Sequence, residues 1–308
     1  MTVGFIDEMM RGILSSKDVL NASCGEVTRI RTINPRSHRP ERDGLYDERI
    51  FGPVNDWTCF CGVYNNAPEH EGAICRHCGV PVLPSSVRRT RIGHITLAEP
   101  VIPVCYLHEK PSRLSLLLNI DPTVLKDFAC YQYWLVLEKG DLGLEPGLYA
   151  YDHHFNNPLF CSDYTQGRII SGGRAIQLML TRLFSTKDAQ GIENPDGKTN
   201  LQIEFEKLCA QYSEDDEARY RVLSQFVHGE IDPQHLLITI LPVIPPVYRP
   251  ENSKLGKSYF PVLCHNRNVL KDKRLHHREV RREISEMSRL QGSVNHLINM
   301  LSEVHVTQ

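Results

Sequence analysis

The sequence predicts an irregular α+β fold of many short elements, with a four-cysteine module in its first third and a helical hairpin at its C-terminal end. Two close cysteine pairs lie between residues 57 and 82. Elsewhere, short apolar stretches typical of strands alternate with segments in which apolar residues recur every three or four positions, as in amphipathic helices. From residue 263 onward the sequence is helical in pattern and rich in arginine and lysine. We therefore expect many small elements rather than one regular layered domain.

The composition indicates a soluble globular protein from a reducing compartment. The 308 residues are 41% hydrophobic and 23% charged, which suffices for one large core or about two domains. The ten cysteines are unevenly spaced, and the N-terminus carries acids where a signal peptide has basic and then apolar residues. No apolar stretch approaches the roughly 18 to 20 residues of a membrane span. The net charge of −2 excludes a uniformly basic nucleic-acid coat, but the basic residues gather in patches.

The segments outside the cysteine module differ in their patterning. Residues 23–53 are rich in arginine, proline and glycine and should run as extended chain and turns over a surface. Residues 87–95 alternate as a strand with a basic face. The other predicted elements are a helix at 111–118, a buried strand at 135–137, amphipathic helices within 173–183 and 201–227, and a strand at 236–241 ended by prolines. Two C-terminal helices follow, joined by a turn near Gly292 or at another position in that segment.

The spacing of four cysteines predicts a zinc site. Cys59-x-Cys61 is followed by thirteen residues and then by Cys75-x-x-Cys78, so a loop separates two close pairs that can converge into a tetrahedron. Thiolates are soft ligands suited to zinc, and four of them close the coordination shell, which leaves no position for a catalytic water. The site is therefore structural. A module of about 25 residues has almost no core, so the metal must supply folding free energy, roughly 10 to 16 kcal/mol in zinc-finger peptides.

Two alternatives stand beside this prediction. The four cysteines can also be read as two disulfides or as free thiols, and His70 and His77 lie within the module as substitute ligands. We prefer the all-cysteine set because both paired spacings are complete without histidine.

Arginines cluster on both sides of the module. Those considered as phosphate ligands are Arg36, Arg39 and Arg42 upstream and Arg88, Arg89 and Arg91 downstream. Guanidinium groups on extended or loop backbone suit phosphate contacts, which position a nucleic acid without reading its sequence. The alternative is that these arginines pair with nearby acids such as Asp43, Asp47 and Glu48 on an ordinary surface.

Motifs around the module occur in a recognisable order. Residues 39–45 (RPERDGL) and 48–53 (ERIFGP) precede the cysteines, residues 87–98 (VRRTRIGHITLA) follow them, and residues 239–250 (TILPVIPPVYRP) lie much further along. Together they resemble the N-terminal region of the β′ subunit of multisubunit DNA-directed RNA polymerases. The resemblance is dense over 25–120 and 236–300 and weak between them.

This resemblance implies a role for each region. It assigns an N-terminal segment at 1–24, a zipper-like segment at 25–56 beside upstream DNA, the β′ zinc-binding module at 57–82, a clamp body at 83–248, a lid-like loop at 249–262 and clamp helices at 263–308. The fold is therefore expected to include a clamp-type region. Lys254 and Lys257 in the lid-like segment would meet transcript or template phosphates. In bacterial enzymes the clamp helices dock the sigma factor, so the resemblance implies partner contacts at Arg267, Asn268, Lys271, Arg274 and Arg278.

The sequence departs from a full β′ subunit in one respect. The resemblance implies an aspartate motif that holds catalytic Mg²⁺, and no Asp-x-Asp-x-Asp occurs in these 308 residues. We therefore expect a non-catalytic part of a nucleotidyltransferase, with Mg²⁺ on another subunit. A β′ subunit divided this early resembles the split polymerases of giant bacteriophages. That likeness implies the cytoplasm of an infected bacterium, or the virion, as its location.

Two functional hypotheses follow from these observations. The first is a β′-like polymerase subunit that works with other polymerase chains, DNA, nascent RNA and a sigma-like specificity factor. The second is a free zinc-containing regulator that binds DNA or imitates β′ on a host polymerase. The first predicts a chain held in a stable catalytic assembly, and the second predicts a chain found mainly outside it.

Overall fold

The computed structural model describes residues 15–150, 157–188, 191–211, 213, 216–274 and 279–302. Its strands are β1 Ser23–Glu26, β2 Ile92–Val101, β3 Tyr133–Val136, β4 Gly147–Ala150, β5 Ile169–Ile170 and β6 Ile238–Val243. Its helices are α1 Ser16–Ala22, α2 Glu48–Phe51, α3 Val104–His108, α4 Arg113–Leu118, α5 Pro122–Ala129, α6 Pro158–Thr165, α7 Gly172–Leu183, α8 Asn200–Ala210, α9 Glu217–Val227, α10 Lys254–Arg274 and α11 Val280–Ser302.

The chain divides into two compact units. The first contains the described residues of 15–98, 239–270 and 292–302, and the second contains those of 99–238 and 271–291. The mixture of helices with small sheets confirms the α+β prediction.

A three-stranded sheet and parts of the two long helices, residues 254–270 of α10 and 292–302 of α11, organise the first unit. The strand order is β1-β2-β6, and β1 runs parallel to β2 with Ser23 opposite Ile92. Branched and aromatic side chains fill the interior, among them Phe51, Ile92, Val243 and Tyr259, all fully or almost fully buried. The side chain of Asn266 on α10 accepts a hydrogen bond from the Ala98 N–H at 2.7 Å and donates one to the Thr96 carbonyl at 2.8 Å. An amide side chain thus extends the ladder of β2, because its donor and acceptor match a peptide group.

A largely helical core fills the second unit. The apolar faces of α4, α5, α7 and α9 meet there, with Leu114, Phe128, Ile176 and Leu223 fully buried. A small sheet of order β4-β3-β5 lies beside them, and β3 is antiparallel to both neighbours. Gly173 in α7 is required by packing, because a Cβ there would lie 1.8 Å from the Pro100 carbonyl oxygen. The predicted helices at 111–118 and 173–183 and the predicted strand at 135–137 are confirmed to within two residues.

The predicted helix break at Gly292 is wrong. Helix α11 runs without interruption from Val280 to Ser302, and the chain between α10 and α11 includes residues 275–278, which lie outside the described residues. Glycine inside a helix costs about 1 kcal/mol relative to alanine. Burial of Leu290, Val294 and Leu297, spaced by four and three residues, outweighs that cost, since each buried leucine or valine contributes roughly 1.5 to 3 kcal/mol.

The predicted loop at 249–262 is also largely helical. Helix α10 begins at Lys254, so only residues 249–253 are a connection. Ser253 ends that connection, because its Oγ accepts a hydrogen bond from the Gly256 N–H at 2.9 Å and thereby caps the helix. Pro261 and Gly256 look like loop signals in the sequence, but buried Leu255 and Tyr259 on one face hold the helix.

Two further predictions need adjustment. The strand expected over 87–95 begins only at Ile92, since Ser85–Arg89 is a 3₁₀ turn whose Val87 carbonyl accepts the N–H groups of Thr90 and Arg91. The helical pattern over 201–227 is two helices, α8 and α9. None of the described helices is both long enough and apolar enough to cross a lipid bilayer.

Candidate metal centre and nucleic-acid interface

The four cysteines come from two turns of similar build. In the first, the Cys59 N–H donates to the Tyr64 carbonyl at 3.0 Å, and in the second the Cys75 N–H donates to the Val80 carbonyl at 3.0 Å. A glycine follows the second cysteine of each pair, and both glycines have positive φ, 79° and 77°, a conformation open to residues without Cβ. The two turns place all four sulfur atoms within 4.8 Å of one another.

The sulfur spacing fits a metal ion. The Cys59 and Cys61 Sγ atoms are 3.5 Å apart, and those of Cys61 and Cys75 are 3.6 Å apart. A zinc ion with Zn–S bonds of about 2.3 Å needs tetrahedral edges of about 3.8 Å, whereas a disulfide needs about 2.05 Å. The two-disulfide alternative is therefore excluded for this cluster. The cluster contains neither His70 nor His77, and the His70 ring packs edge-on against Tyr64 instead.

The thiols of the cluster are strongly coupled to one another. Burial opposes ionisation of Cys75, yet hydrogen bonds from the backbone of Cys78 and His77 and from neighbouring thiols lower the pKa of Cys75 to about 6. A backbone hydrogen bond favours the Cys61 thiolate, but burial and the other thiols raise the pKa of Cys61 to about 12. Metal binding requires deprotonated thiols, so a divalent cation that binds the four sulfur atoms neutralises their negative charge.

The module has little apolar core of its own. Its buried apolar cluster consists of Cys59, Cys75 and Val80, with Phe60 and Tyr64 packed around them. Its two ends are joined where the Trp57 N–H donates to the Leu83 carbonyl at 2.9 Å. A core this small contributes little stability, and a metal ion bound to the four cysteines would hold the turns together.

Arg88 and Arg91 have structural tasks. Arg88 donates to the Gly52 carbonyl at 2.6 Å and to the Tyr46 carbonyl at 3.3 Å, and burial lowers its pKa. Arg91 donates from Nε to the Ile50 carbonyl at 2.8 Å and from Nη2 to the Arg49 carbonyl at 3.1 Å. These guanidinium groups satisfy the carbonyls around α2, so their donors are directed into the protein.

Three of the other predicted arginines face solvent. Arg36, Arg42 and Arg89 are exposed, and none of them forms an ion pair with the residues that the structure describes. Arg39 is exposed as well, but it donates to the Phe60 carbonyl, and its guanidinium lies 5.2 Å from the centre of the Phe60 ring. Arg39 therefore links the upstream segment to the cysteine module.

Two acids of this region, Asp43 and Asp47, form ion pairs with Arg49 rather than with the exposed arginines. Arg49 pairs with Asp43 and with Asp47, the latter at 2.8 Å, so these carboxylates do not neutralise the exposed arginines. Glu48 is buried, and burial raises its pKa, against the attraction of Arg39 and Arg88. The exposed arginines Arg36, Arg42 and Arg89 are thus not neutralised by these acids.

Arg249 is a residue that the sequence did not single out. It is fully buried, and its guanidinium carbon lies 5.0, 4.7 and 5.5 Å from the ring centres of Tyr46, Phe51 and Tyr259. It donates to the Ile244 carbonyl at 2.6 Å and also to the Leu45 carbonyl. Arg249 joins the segment before α2 to the start of α10. Its place next to Pro250 was visible in the sequence, but its burial was not.

Comparison with known proteins places the chain in a family. Residues 4–305 match the family described as RNA polymerase Rpb1, domain 1. The chain belongs to this family. It is also similar to the protein named DNA-directed RNA polymerase subunit beta′ from several bacteria. It is 33% identical over 240 residues to that of Buchnera aphidicola, covering 77% of this chain and 16% of the relative. It is 34% identical over 256 residues to that of Lactobacillus acidophilus, covering 80% and 20%.

The chain spans about a fifth or less of the length of the curated relatives that it matches. A third relative, from Coxiella burnetii, is 33% identical over 246 residues, covering 79% of this chain and 16% of the relative. The resemblance to the β′ N-terminal region noted from the sequence is thereby confirmed.

Within this Rpb1-type chain, the residues considered for partner binding lie on α10 or just after it. Arg267, Lys271 and Arg274 are exposed, and their spacing of four and three places them on one helix face. Asn268 is half-buried, and Arg278 lies outside the described residues. Lys254 and Lys257 are exposed in the first turn of α10 rather than on a loop.

A side chain on α11 provides a second link to the chain after β2. Gln291 accepts a hydrogen bond from the Ile102 N–H at 3.0 Å and donates one to the Ile102 carbonyl at 2.7 Å. All of these atoms are buried, so loss of Gln291 leaves a peptide group unpaired. Its sequence position in the helical pattern gave no sign of this role.

Proposed function

We propose that this chain is a β′-like, non-catalytic part of a DNA-directed RNA polymerase that supplies clamp and zinc-binding elements. The match of residues 4–305 to Rpb1 domain 1 carries the proposal. The four-thiol cluster supports it, because its ligand type and spacing suit a structural metal and leave no open position for catalysis.

We infer that the metal is a single structural Zn²⁺ held by Cys59, Cys61, Cys75 and Cys78. Closed thiolate tetrahedra are typical of zinc, and the sulfur distances of 3.5 and 3.6 Å match its bond lengths. When bound, zinc supplies charge neutralisation and a rigid junction. The protein's own contribution is to anchor that junction to the upstream segment through Arg39 and Phe60.

The nucleic-acid contacts of this proposal fall on the exposed cations. Arg36, Arg42 and Arg89, with Lys254 at the start of α10, present charges that no described acid neutralises. Such contacts give a salt-dependent grip that tolerates any sequence. Arg39 contributes charge near the module, and Arg88 and Arg91 contribute by holding the backbone that presents Arg89.

The proposal also assigns the helical region to partner contact. The exposed basic face of Arg267, Lys271 and Arg274 suits an acidic surface on a sigma-like specificity factor. The Mg²⁺ of nucleotide transfer is proposed to lie outside these 308 residues, which contain no Asp-x-Asp-x-Asp. The bacterial relatives support action inside a bacterial cell, and the phage and virion location stays a prediction.

Co-purification tests this function. An affinity-tagged chain is isolated from cells that make it, the complex is washed in moderate salt, and its chains are identified by mass spectrometry. We expect β-like chains and a chain with the magnesium-binding aspartates in constant ratio, with RNA synthesis only in the complete complex. RNA synthesis by the single purified chain, or its elution without partners, contradicts the proposal.

The second candidate, a free regulator, gives a different elution profile. On gel filtration of unfractionated extract, a regulator appears mainly apart from the catalytic assembly, and a subunit appears mainly with it. The extent of the Rpb1 match favours the subunit, because a regulator that only imitates one surface does not need the whole domain.

A further inference from the structure

A groove in the first unit is not used by any of the roles proposed above. It has a volume of about 670 Å³, within the roughly 300 to 1,000 Å³ of ligand-binding clefts. One wall is the segment 30–35, the floor is Leu45 with Tyr46, and the other wall is the first turns of α10. Ile33 and Phe260 both line it, with exposed fractions of 39% and 54%, which is high for large apolar side chains. An apolar cleft this open is an energetic cost to an isolated chain and marks an interaction site.

The first wall presents an unused strand edge. Ile33 and Pro40 form an antiparallel bridge in which the Asn34 N–H donates to the Arg39 carbonyl and the Glu41 N–H donates to the Thr32 carbonyl, both at 2.9 Å. In such a pair the groups of the intervening residue point the other way. The N–H and carbonyl of Ile33 therefore face away from Pro40, and no described residue forms a backbone hydrogen bond with either of them.

The charges at the groove are complementary to an acidic ligand. Arg31 belongs to the segment 30–35 and Lys257 to the first turn of α10, and both line the groove and are exposed. Glu251, the one acid among the described lining residues, accepts a hydrogen bond from the Thr32 hydroxyl at 2.6 Å. The groove thus has an apolar floor between two cations.

We propose that this groove binds a short extended peptide segment, alternating apolar and acidic residues, from another polymerase chain. The segment adds as a strand to the edge at Ile33. Its apolar side chains pack on Ile33, Leu45 and Phe260, and its acidic side chains pair with Arg31 and Lys257. Main-chain pairing supplies affinity in this mode, and the side-chain pockets supply specificity.

The lining favours a peptide over single-stranded nucleic acid. Nucleic-acid grooves stack bases on several open rings. Here Phe260 is the one strongly exposed ring in the lining, because the Tyr46 ring lies against Arg249 and its hydroxyl donates to the Arg249 carbonyl at 2.8 Å. The remaining apolar surface is aliphatic. An aliphatic floor beside a free strand edge is what a peptide needs.

Peptide selection tests the groove on the isolated full chain, independently of the polymerase function. A random library of 12-residue peptides is selected on the zinc-loaded chain, and enriched peptides are titrated by fluorescence anisotropy. We expect alternating apolar and acidic sequences whose binding weakens at least tenfold in Phe260→Ser and in Lys257→Glu. The matched controls are Leu270→Ser, an exposed leucine on the same helix, and Lys17→Glu, an exposed lysine of the same unit, and both should bind within twofold of wild type. No enrichment, or equal binding by all variants, overturns the proposal.

Crosslinking then identifies the occupant in the assembled polymerase, and this arm rests on the proposed function. Phe260 is replaced by p-benzoylphenylalanine, and the purified complex is irradiated and analysed by mass spectrometry. A crosslink to one defined acidic and apolar segment of another chain supports the proposal. Crosslinks to DNA or RNA, or none to a defined segment, overturn it. Failure of the chain to assemble counts against the proposed function, and peptide selection then decides the groove by itself.

Discussion

Replacement of the buried Arg249 by methionine should destabilise the first unit. Among the described residues Arg249 has no carboxylate partner, so its charge is held by two backbone carbonyls and three aromatic rings. Methionine has a similar length and keeps much of the packing, but it can neither donate a hydrogen bond nor attract the ring faces. The change therefore isolates the contribution of the cation.

The structure gives opposing contributions to the stability. Burial lowers the pKa of Arg249 to about 10, against the attraction of Tyr259 and Tyr46. That shift corresponds to about 3 kcal/mol of cost for the buried charge. Against it stand two charge-assisted hydrogen bonds of about 1.5 to 3 kcal/mol each and ring contacts of about 0.5 to 2 kcal/mol each. Methionine also leaves the Leu45 and Ile244 carbonyls without a donor, so we expect a net loss of about 2 to 4 kcal/mol.

The pH dependence of this loss has a defined sign. The folded pKa of about 10 is lower than the unfolded one, so the folded state binds fewer protons only at pH values between the two pKa values, and stability rises with pH in that window. Below pH 10 the guanidinium is charged in both states. The loss in Arg249→Met should therefore be constant between about pH 6 and pH 9.

Hydrogen exchange measured by mass spectrometry reports the loss by region. We expect amides of 244–263 to exchange about 30- to 1,000-fold faster in Arg249→Met, whereas amides of α7 in the second unit serve as the internal reference. The control is Arg29→Met, an exposed arginine of the same unit, which should match wild type. Unchanged or slower exchange in Arg249→Met would refute the reasoning, because the cost of the buried charge would then exceed its bonds.

Three other predictions concern the metal centre, the interface and the second unit. Cys75→Ser should lose most of its zinc and open the module to trypsin; a full zinc equivalent per chain by mass spectrometry contradicts the ligand assignment. Arg89→Ala should lower the slope of log affinity for DNA against log salt concentration by about 0.9, and an unchanged slope contradicts phosphate contact. Arg88→Ala should instead cost about 2 to 4 kcal/mol of folding stability, because it leaves two backbone carbonyls without a donor. Burial opposes ionisation of Asp163, but the N–H groups of Leu142 and Asp141 and the Arg168 guanidinium hold its pKa below the ordinary value of 3.8. The Asp163 carboxylate therefore stabilises the folded state fully above pH 3.8, and this stabilisation is lost as the pH falls through the folded pKa. The deficit of Asp163→Asn in urea unfolding should therefore be large at pH 7 and shrink below about pH 3.8, and a constant deficit contradicts this.

Short-range patterns predicted much of the local structure. The cysteine spacing predicted the four-sulfur cluster, because close pairs with following glycines determine where the thiols can point. The periodicity of residues 173–183 predicted α7, because apolar residues spaced by three and four positions form one continuous face only in a helix. The sequence pattern predicted the wrong structure where helix-breaking residues lie within a stretch of helical apolar spacing. At Gly292 and at 254–262 the glycine and proline signals suggested breaks, but burial of the apolar face decided for helix.

By itself the sequence determined the family, the cysteine cluster and the basic character of the regions beside it, because these depend on residue types and on spacings of a few positions. The tertiary structure alone decided which arginines are available. Three of them, Arg88, Arg91 and Arg249, donate to backbone carbonyls of residues 36 to 204 positions away in the sequence. Three others, Arg36, Arg42 and Arg89, face solvent. The same is true of the groove between Ile33 and Phe260. Residues so distant in sequence come together only after folding. The residue type therefore tells us that an arginine is charged, but not whether its guanidinium meets a backbone carbonyl or water.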